Sequence, residues 1–465
     1  MLKKTTEAGR LAKIRAELVN MVGGFVINDP TTPDLVANVQ PPAIGALKYS
    51  VQGLSPQPKN ASERRALNCH ISVGSCINAI QALLKSPLQR WAATSSLSVI
   101  PAAGVEMNAY YDRRSLRFFY YNYRGKNTYF ADSSDIVTHE LGHAVLDSMR
   151  PDFWSVQALE IWSFHEAFSD IVAMFNLMNY DAVIEKVLKE TGGDLRLSNS
   201  ASRLAEEVGE LIRAVTKDPS YLPNALRDPA RELFLYVDPS KLPAETSNNK
   251  LAAECHSFGR VFSAAWYNAF TKVYDSLVAK GDARSVAFKK ARDICFSVLL
   301  KAVPLTPRTP KYYSAAAKCM VACAKDQGAD ISNIFREVFV AWKIVEPNEI
   351  KALSSKSWAE VLVGLNRGDK VVKTKGGGAI VAVREPKYAK ISDLPVVSVL
   401  NVSPDLEVEI ASDSYYEFDP SGKLVDEVVH DPKEARLASA ACVAQALSDG
   451  MWEESGGKLV RKFMR

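Results

Sequence analysis

Of everything in this 465-residue chain, the stretch from Asp135 to Asp147, DIVTHELGHAVLD, leaves the fold least freedom. Inside it His139, Glu140 and His143 form the pattern H-E-x-x-H. On a helix, positions four apart share a face, so the two imidazoles converge as two ligands of one metal ion must. Glu140, turned about 100° from His139, is set toward a water at that metal rather than toward the metal itself. The local signals agree with a helix. Ser133, Ser134 or Asp135 can cap its start, apolar Ile136, Val137, Leu141, Val145 and Leu146 come next, and Pro151 lies just past its end. Small Gly142 and Ala144 let neighbouring backbone come close. Three residues can match a short motif by accident, so the reading depends on the residues downstream.

About twenty residues downstream lies LEIWSFHEAFSDIVAMF, where Leu159, Trp162, Ala167, Ile171 and Met174 recur at helical spacing. Glu166 and Asp170 share one face of this second helix. A carboxylate from a second helix is the usual third protein ligand beside two histidines, with the fourth position left for water. Asp170 is then placed to accept a hydrogen bond from the non-ligating nitrogen of a zinc histidine. Two solvated acids on an amphipathic helix are the bland alternative, and the upstream motif weighs against it.

H-E-x-x-H trailed about twenty residues later by E-A-x-x-D (Glu166, Ala167, Asp170) resembles the signature of the thermolysin-like zinc metallopeptidases and their fungalysin relatives. The similarity runs roughly from Asn108 to Val345. It implies an α+β, two-lobed fold: a mixed N-terminal lobe over residues 1–150 that ends in the zinc helix, and a helical lobe over 151–346 that carries the third ligand. Residues 347–465, where the resemblance stops, read as a small α+β accessory domain. The implied activity is that of a zinc endopeptidase, with one catalytic Zn2+ on His139, His143 and Glu166, and Glu140 as general base. In VEMNAYY, Asn108 and Ala109 match the edge strand that takes an extended peptide as an added strand. In PNALRDPA, Arg227 matches the arginine that grips the substrate carbonyl, a task suited to a planar guanidinium. His256 of AECHSFGR matches a histidine that assists the oxyanion. Without the family match, Arg227 reads equally well as a surface arginine capping a loop.

The chain also departs from the pattern. Family members often carry a tyrosine between the two helices to help the oxyanion, and RPDFWSVQALEIW has none; Trp154 and Trp162 offer indole N–H groups, but neither matches by motif. The acid that orients the histidine falls near Leu251, which leaves Glu254 as a substitute candidate. Asp135 matches one Ca2+ ligand of the family, while Leu177 stands where another acid is expected. His165 adjoins Glu166 but points about 100° away on the helix, and reads as a support to the ligands or a structural residue rather than a fourth ligand.

Composition narrows the class. The formal net charge is only +4 and the basic residues are scattered, so nothing asks for nucleic acid or an anionic membrane; the implied partner is a peptide or protein substrate. No run of eighteen apolar residues offers a membrane span. Near the N-terminus, Leu11, Ile14, Leu18 and Met21 form one face of an amphipathic helix, interrupted by charges that a signal peptide excludes. Seven cysteines without tight pairing read as buried free thiols in a reducing compartment. The expectation is a cytoplasmic enzyme, or one exported by a non-classical route.

The remaining periodicity predicts strands at 46–51, 97–100 and 105–109, a hairpin over 116–130, and a helix over 61–91. Further helices are expected within 181–217 and over 285–303, 311–327 and 331–342. The tail predicts short strands around Gly376–Gly378, at 396–402, 406–410 and 415–418, then a helix over 433–447. Two rival functions stand beside the endopeptidase: a zinc aminopeptidase, whose G-x-M-E-N strand is missing here, and a catalytically weak scaffold that binds peptides or a partner.

Overall fold

The computed structural model describes residues 24–26, 28–38, 42, 44–156, 158–306 and 311–351, and beyond them eight short strands between 371 and 461. The first expected helix and the one expected over 433–447 lie outside the described residues, as does the glycine triplet. The chain is α+β. Its contacts divide it into two compact units: Met1–Met149 with Phe168–Leu233 and Trp266–Ser297, and Arg150–Ala167 with Phe234–Ala265 and Val298–Arg465.

The first unit is built on a four-stranded sheet. Strands β1 (Gly24–Val26) and β2 (Val36–Asn38) pair separately. In the main sheet β3 (Tyr49–Val51) runs parallel to β4 (Leu97–Ile100), β4 parallel to β6 (Ser115–Phe118), and β5 (Ala109–Tyr111) antiparallel to β6. The order β3-β4-β6-β5 leaves β5 at an edge. β7 (Tyr120–Tyr123) and β8 (Lys126–Tyr129) form a hairpin. Its two-residue turn, Arg124-Gly125, has φ 52° and 81°, the left-handed pair whose twist suits a tight hairpin. Helix α1 (Ala61–Leu83) starts at Asn60, whose side chain accepts from the Glu63 amide at 2.9 Å, while Glu63 reaches back to the Lys59 amide at 2.6 Å.

Helix α2 (Ser134–Met149) carries H-E-x-x-H and is anchored at both ends. Asp135 accepts the Ile136 amide at 2.8 Å in the first turn, which suits the positive end of the helix dipole. In the last turn Asp147, fully buried, accepts from Tyr111 Oη at 2.9 Å and from both Nε and Nη2 of Arg113 at 2.9 and 3.0 Å. Those bonds tie this helix to the end of β5. Helix α3 (Leu159–Leu177) is one continuous helix whose residues from Phe168 onward belong to this unit. It packs against α2 at backbone distance: a β-carbon on Gly142 would stand 2.6 Å from Ser169 Cα. α4 (Asp181–Thr191) and α5 (Glu206–Thr216) fill the expected charged helical region. The segments of α6 (Cys255–Ala279) and α7 (Arg284–Ala302) in this unit join the same core, with Phe175 stacked on Phe296 at 3.9 Å between ring centroids.

In the second unit the N-terminal part of α3 meets that of α6, which in turn packs on α8 (Tyr312–Ala324) and α9 (Ala329–Ala341). Phe164 packs on Phe262 at 5.1 Å, Phe258 stacks on Tyr313 at 5.2 Å, and Phe262 lies 5.9 Å from Phe339. The buried carboxylate of Glu160 accepts the Tyr313 amide and the Tyr236 hydroxyl, both at 2.7 Å, so its charge is compensated at the start of α3. The tail contributes four antiparallel pairs: β9 (Val371–Lys373) with β10 (Ile380–Ala382), β11 (Ser398–Ser403) with β12 (Leu406–Ile410), β13 (Ser414–Phe418) with β14 (Leu424–Val429), and β15 (Trp452–Ser455) with β16 (Lys458–Arg461). Among the described residues, no helix is long and apolar enough to cross a membrane.

The expected strand over 105–109 begins later. Val105 makes only an isolated bridge to Tyr120, and regular pairing starts at Ala109. The helix expected over 61–91 stops at Leu83, where the chain turns extended at Leu84.

Candidate metal centre

α2 presents His139 and His143 from successive turns, with ring centroids 5.0 Å apart and planes at 87°. Edge-to-face rings let one nitrogen of each approach a common point. The tautomer of His139 is set by Asp170, whose Oδ1 accepts from Nδ1 at 2.9 Å. A carboxylate oxygen accepts, so Nδ1 carries the hydrogen and Nε2 keeps the lone pair that a metal needs. Glu140 is buried on the same helix, 6 % exposed.

Asp170 serves a second donor. Arg227 Nη1 lies 3.0 Å from its Oδ1 and 3.1 Å from its Oδ2, with both side chains largely buried. The arginine is held in place by its own backbone, through an isolated antiparallel bridge between Leu204 and Arg227. Arg227 is therefore not a surface loop cap; its guanidinium leans on the acid that orients His139. Glu166 stands one turn before Asp170 on the same face of α3.

Around Glu166, within its own unit, stands the start of α6. Glu254 caps this helix with its side chain: Oε1 accepts the His256 amide at 2.8 Å and Oε2 the Ser257 amide at 2.7 Å. The same Oε1 receives His256 Nδ1 at 2.6 Å. His256 Nε2 then lies 3.6 Å from Glu166 Oε1. The acid beside His256, left open by the sequence, is thus Glu254, two residues away and fixed by its capping role. Burial favours the neutral acid, but the His256 charge and these hydrogen bonds draw Glu254 down to about 2. Partial desolvation opposes a charge on the half-exposed His256, but the Glu166 carboxylate leads the charges that outweigh it and hold the imidazole well above its usual range. Cys255 is the residue that sequence reasoning missed here. Its thiol lies 3.6 Å from His256 Nδ1, and one ligand atom each from Glu166, Cys255 and His256 fall within 4.8 Å of one another.

Asn108 and Ala109 lie at the start of edge strand β5. The Asn108 carbonyl accepts from the Phe119 amide at 3.2 Å, its amide side chain donates to Glu106 Oε1 at 3.2 Å, and Ala109 pairs with Phe118. Both are partly exposed.

A second cluster gathers Asp29, Asp135 and Glu206, all buried, with carboxylate oxygens within 4.8 Å of one another. Ser133 Oγ donates to Asp29 at 2.6 Å and also to Asp135; the Ala205 amide meets Asp135 Oδ2 at 2.6 Å, and the Glu207 amide meets Asp29 Oδ1 at 3.1 Å. Arg203 Nε reaches Glu206 Oε1 only at 3.4 Å, and Glu206 Oε2 is buried with no hydrogen-bond partner. Burial first, and then the Asp135 charge, push Asp29 up to about 7; burial raises Asp135, and burial followed by the Asp29 and Asp135 charges raises Glu206. Leu177, where an acid was expected, is a fully buried core residue.

No protein-family model matches this chain, and no curated protein matches it significantly.

Proposed function

We propose that the chain is a zinc-dependent endopeptidase of thermolysin-like architecture, with His139, His143 and Glu166 as metal ligands. The observation that carries the reading is the bond from His139 Nδ1 to Asp170, one turn beyond Glu166 on the same helical face. A zinc histidine almost always donates its other ring N–H to such a partner, and Glu166 lies at ligand spacing from that partner along the helix. Two imidazoles and one carboxylate are also the donor set that suits zinc with one position open.

When bound, zinc supplies Lewis-acid polarisation of the scissile carbonyl and lowers the pKa of water at the site. The chain's own residues do the rest. Glu140 takes a proton from the attacking water and returns it to the leaving amine. Arg227, positioned by Asp170, donates to the substrate carbonyl beyond the cut. His256, oriented by Glu254, donates to the developing oxyanion, and β5 at Asn108 and Ala109 pairs with the extended peptide. The Asp29–Asp135–Glu206 cluster suits a structural Ca2+: three carboxylates and an unpartnered Glu206 oxygen are hard donors that burial otherwise penalises.

Cleavage of a mixed peptide library, with products read by mass spectrometry, tests the reading. Glu140→Gln keeps the three ligands, so it should bind zinc and fold while losing hydrolysis by at least ~100-fold. Internal cuts support an endopeptidase, and stepwise loss of N-terminal residues the aminopeptidase. Zinc-replete wild type that cuts nothing would overturn the enzyme reading in favour of a scaffold.

A further inference from the structure

The Glu166–Cys255–His256 group contains chemistry that peptide hydrolysis does not use. It offers oxygen, sulfur and nitrogen, with one ligand atom of each within 4.8 Å of the others. The 3.6 Å between His256 Nε2 and Glu166 Oε1 matches the separation of two ligands on one tetrahedral ion, about 3.3–3.8 Å. Glu254 occupies the Nδ1 side of the ring, which leaves the lone pair of a ligating imidazole to Nε2. The thiol now donates to Glu254 Oε1 at 3.3 Å and lies 3.6 Å from His256 Nδ1, so it gives up that hydrogen bond when it joins the other two as a ligand. His256 is 43 % exposed at its side chain, so a cation can reach the group from solvent. The sulfur is the distinguishing member. Burial pushes the Cys255 thiol up to about 12, which makes it a poor nucleophile and a poor redox sensor. A thiophilic cation removes that proton outright, and two anionic ligands then neutralise its charge.

We propose that Glu166, Cys255 and His256 capture a second, thiophilic divalent cation, such as zinc in excess or cadmium, and that its capture switches the peptidase off. The regulatory part rests on Glu166 as a ligand of the catalytic zinc, since one carboxylate then serves two ions. On capture a metal–sulfur bond replaces the S–H bond, whose proton passes to solvent. His256 Nε2 gives its lone pair to the ion, any proton it held also passes to solvent, and it no longer donates to an oxyanion. Hard cations such as Mg2+ lack affinity for the sulfur and do not substitute.

The test adds Cd2+ to the full-length, zinc-loaded protein and to Cys255→Ser, following metal content, the ultraviolet thiolate-to-cadmium band and peptide cleavage. The wild type should take up one Cd2+ per chain beyond its zinc, gain the band and lose cleavage in step, with Mg2+ inert. In Cys255→Ser the band should vanish and half-inhibition should need at least ~10-fold more Cd2+. Cys255→Ala repeats the comparison if serine proves unstable in its buried place, with circular dichroism checking the fold of each. An equal band and equal inhibition in wild type and variants would overturn the proposal, as would Cd2+ entering only by expelling the zinc. The two readings fail separately. A chain that cleaves nothing sinks the peptidase, while a missing Cys255-dependent band sinks the second metal site.

Discussion

Asp170→Asn is the substitution with the most to say, because one carboxylate answers two donors. Asp170 accepts from His139 Nδ1 at 2.9 Å and from Arg227 Nη1 at 3.0 and 3.1 Å. Asparagine keeps the size but has one oxygen and one NH2 group. Whichever way it turns, an N–H faces an N–H across about 3 Å, at a site where the aspartate side chain is only 3 % exposed. Leaving one such donor unsatisfied costs about 1–3 kcal/mol of stability. Complete removal of one partner from a buried pair costs about 3–5 kcal/mol, and the retained amide oxygen places Asn below that range.

The second effect falls on the metal. Loss of the acid that fixes a ligating histidine weakens metal affinity by ~10–100-fold, which is about 1.4–2.7 kcal/mol. Competition with a chromophoric chelator gives zinc affinity, and urea unfolding of the metal-free protein gives stability. Arg227→Ala is the control: it leaves the bond from His139 to Asp170 in place, so it should hold zinc within a few-fold of wild type while impairing substrate use. Zinc affinity unchanged in Asp170→Asn would refute the orienting role. Equal weakening in both variants would show instead that Asp170 acts only as a buried countercharge.

Gly142→Ala places a methyl group 2.6 Å from Ser169 Cα, so it should destabilise by about 1–3 kcal/mol, with a lower calorimetric melting temperature. Ca2+ added to zinc-replete, calcium-depleted protein should raise the melting temperature, and Asp29→Asn should blunt that rise. Without calcium the raised Asp29 carboxyl contributes stability that is fully present below its unfolded pKa of 3.8 and is lost as pH rises through about 7. The benefit of calcium should therefore grow from pH 5 to pH 8, and a benefit that shrinks over that interval would contradict the site. Glu254→Gln removes the charge that faces His256, so it should shift the alkaline limb of the cleavage–pH profile to lower pH. An unshifted limb with uniformly lower activity would mark Glu254 as a helix cap only.

The parts of this site that were legible in the sequence are those whose partners lie at fixed helical spacing. His139 with His143 and Glu166 with Asp170 are each four apart, and a helix turns that interval into a shared face. Helix interiors were also legible, because amphipathic periodicity persists for several turns. Three things were not. Helix α1 stops at Leu83 although apolar residues continue, since the chain leaves the helix for extended backbone at Leu84. Asp29 meets Asp135 and Glu206 from segments more than seventy positions apart, and a Pro- and Asn-rich loop gives no period that would announce such a meeting. Cys255 looked like one more buried thiol, because its importance comes from a neighbour, Glu166, on another helix.

The face of α3 is the feature that these observations have in common. Asp170 looks to His139 and Arg227, and Glu166 to His256, so a rotation of α3 by one residue, about 100°, would break every one of those contacts at once. Side-chain packing resists such a slip, and close backbone approach resists it further. Gly142 of α2 lies against Ser169, and Gly259 of α6 lies against Glu166 and Ser163, where added β-carbons would come within 2.6 and 2.9 Å of their nearest atoms. In both places a glycine lets another helix approach α3 beside a residue of the site, at the adjoining Ser169 and at Glu166 itself. Each glycine sets how closely its own helix approaches α3 within its unit, Gly142 at Ser169 and Gly259 at Glu166. Neither glycine has a positive φ, so it is closeness of approach, not backbone conformation, that requires them there.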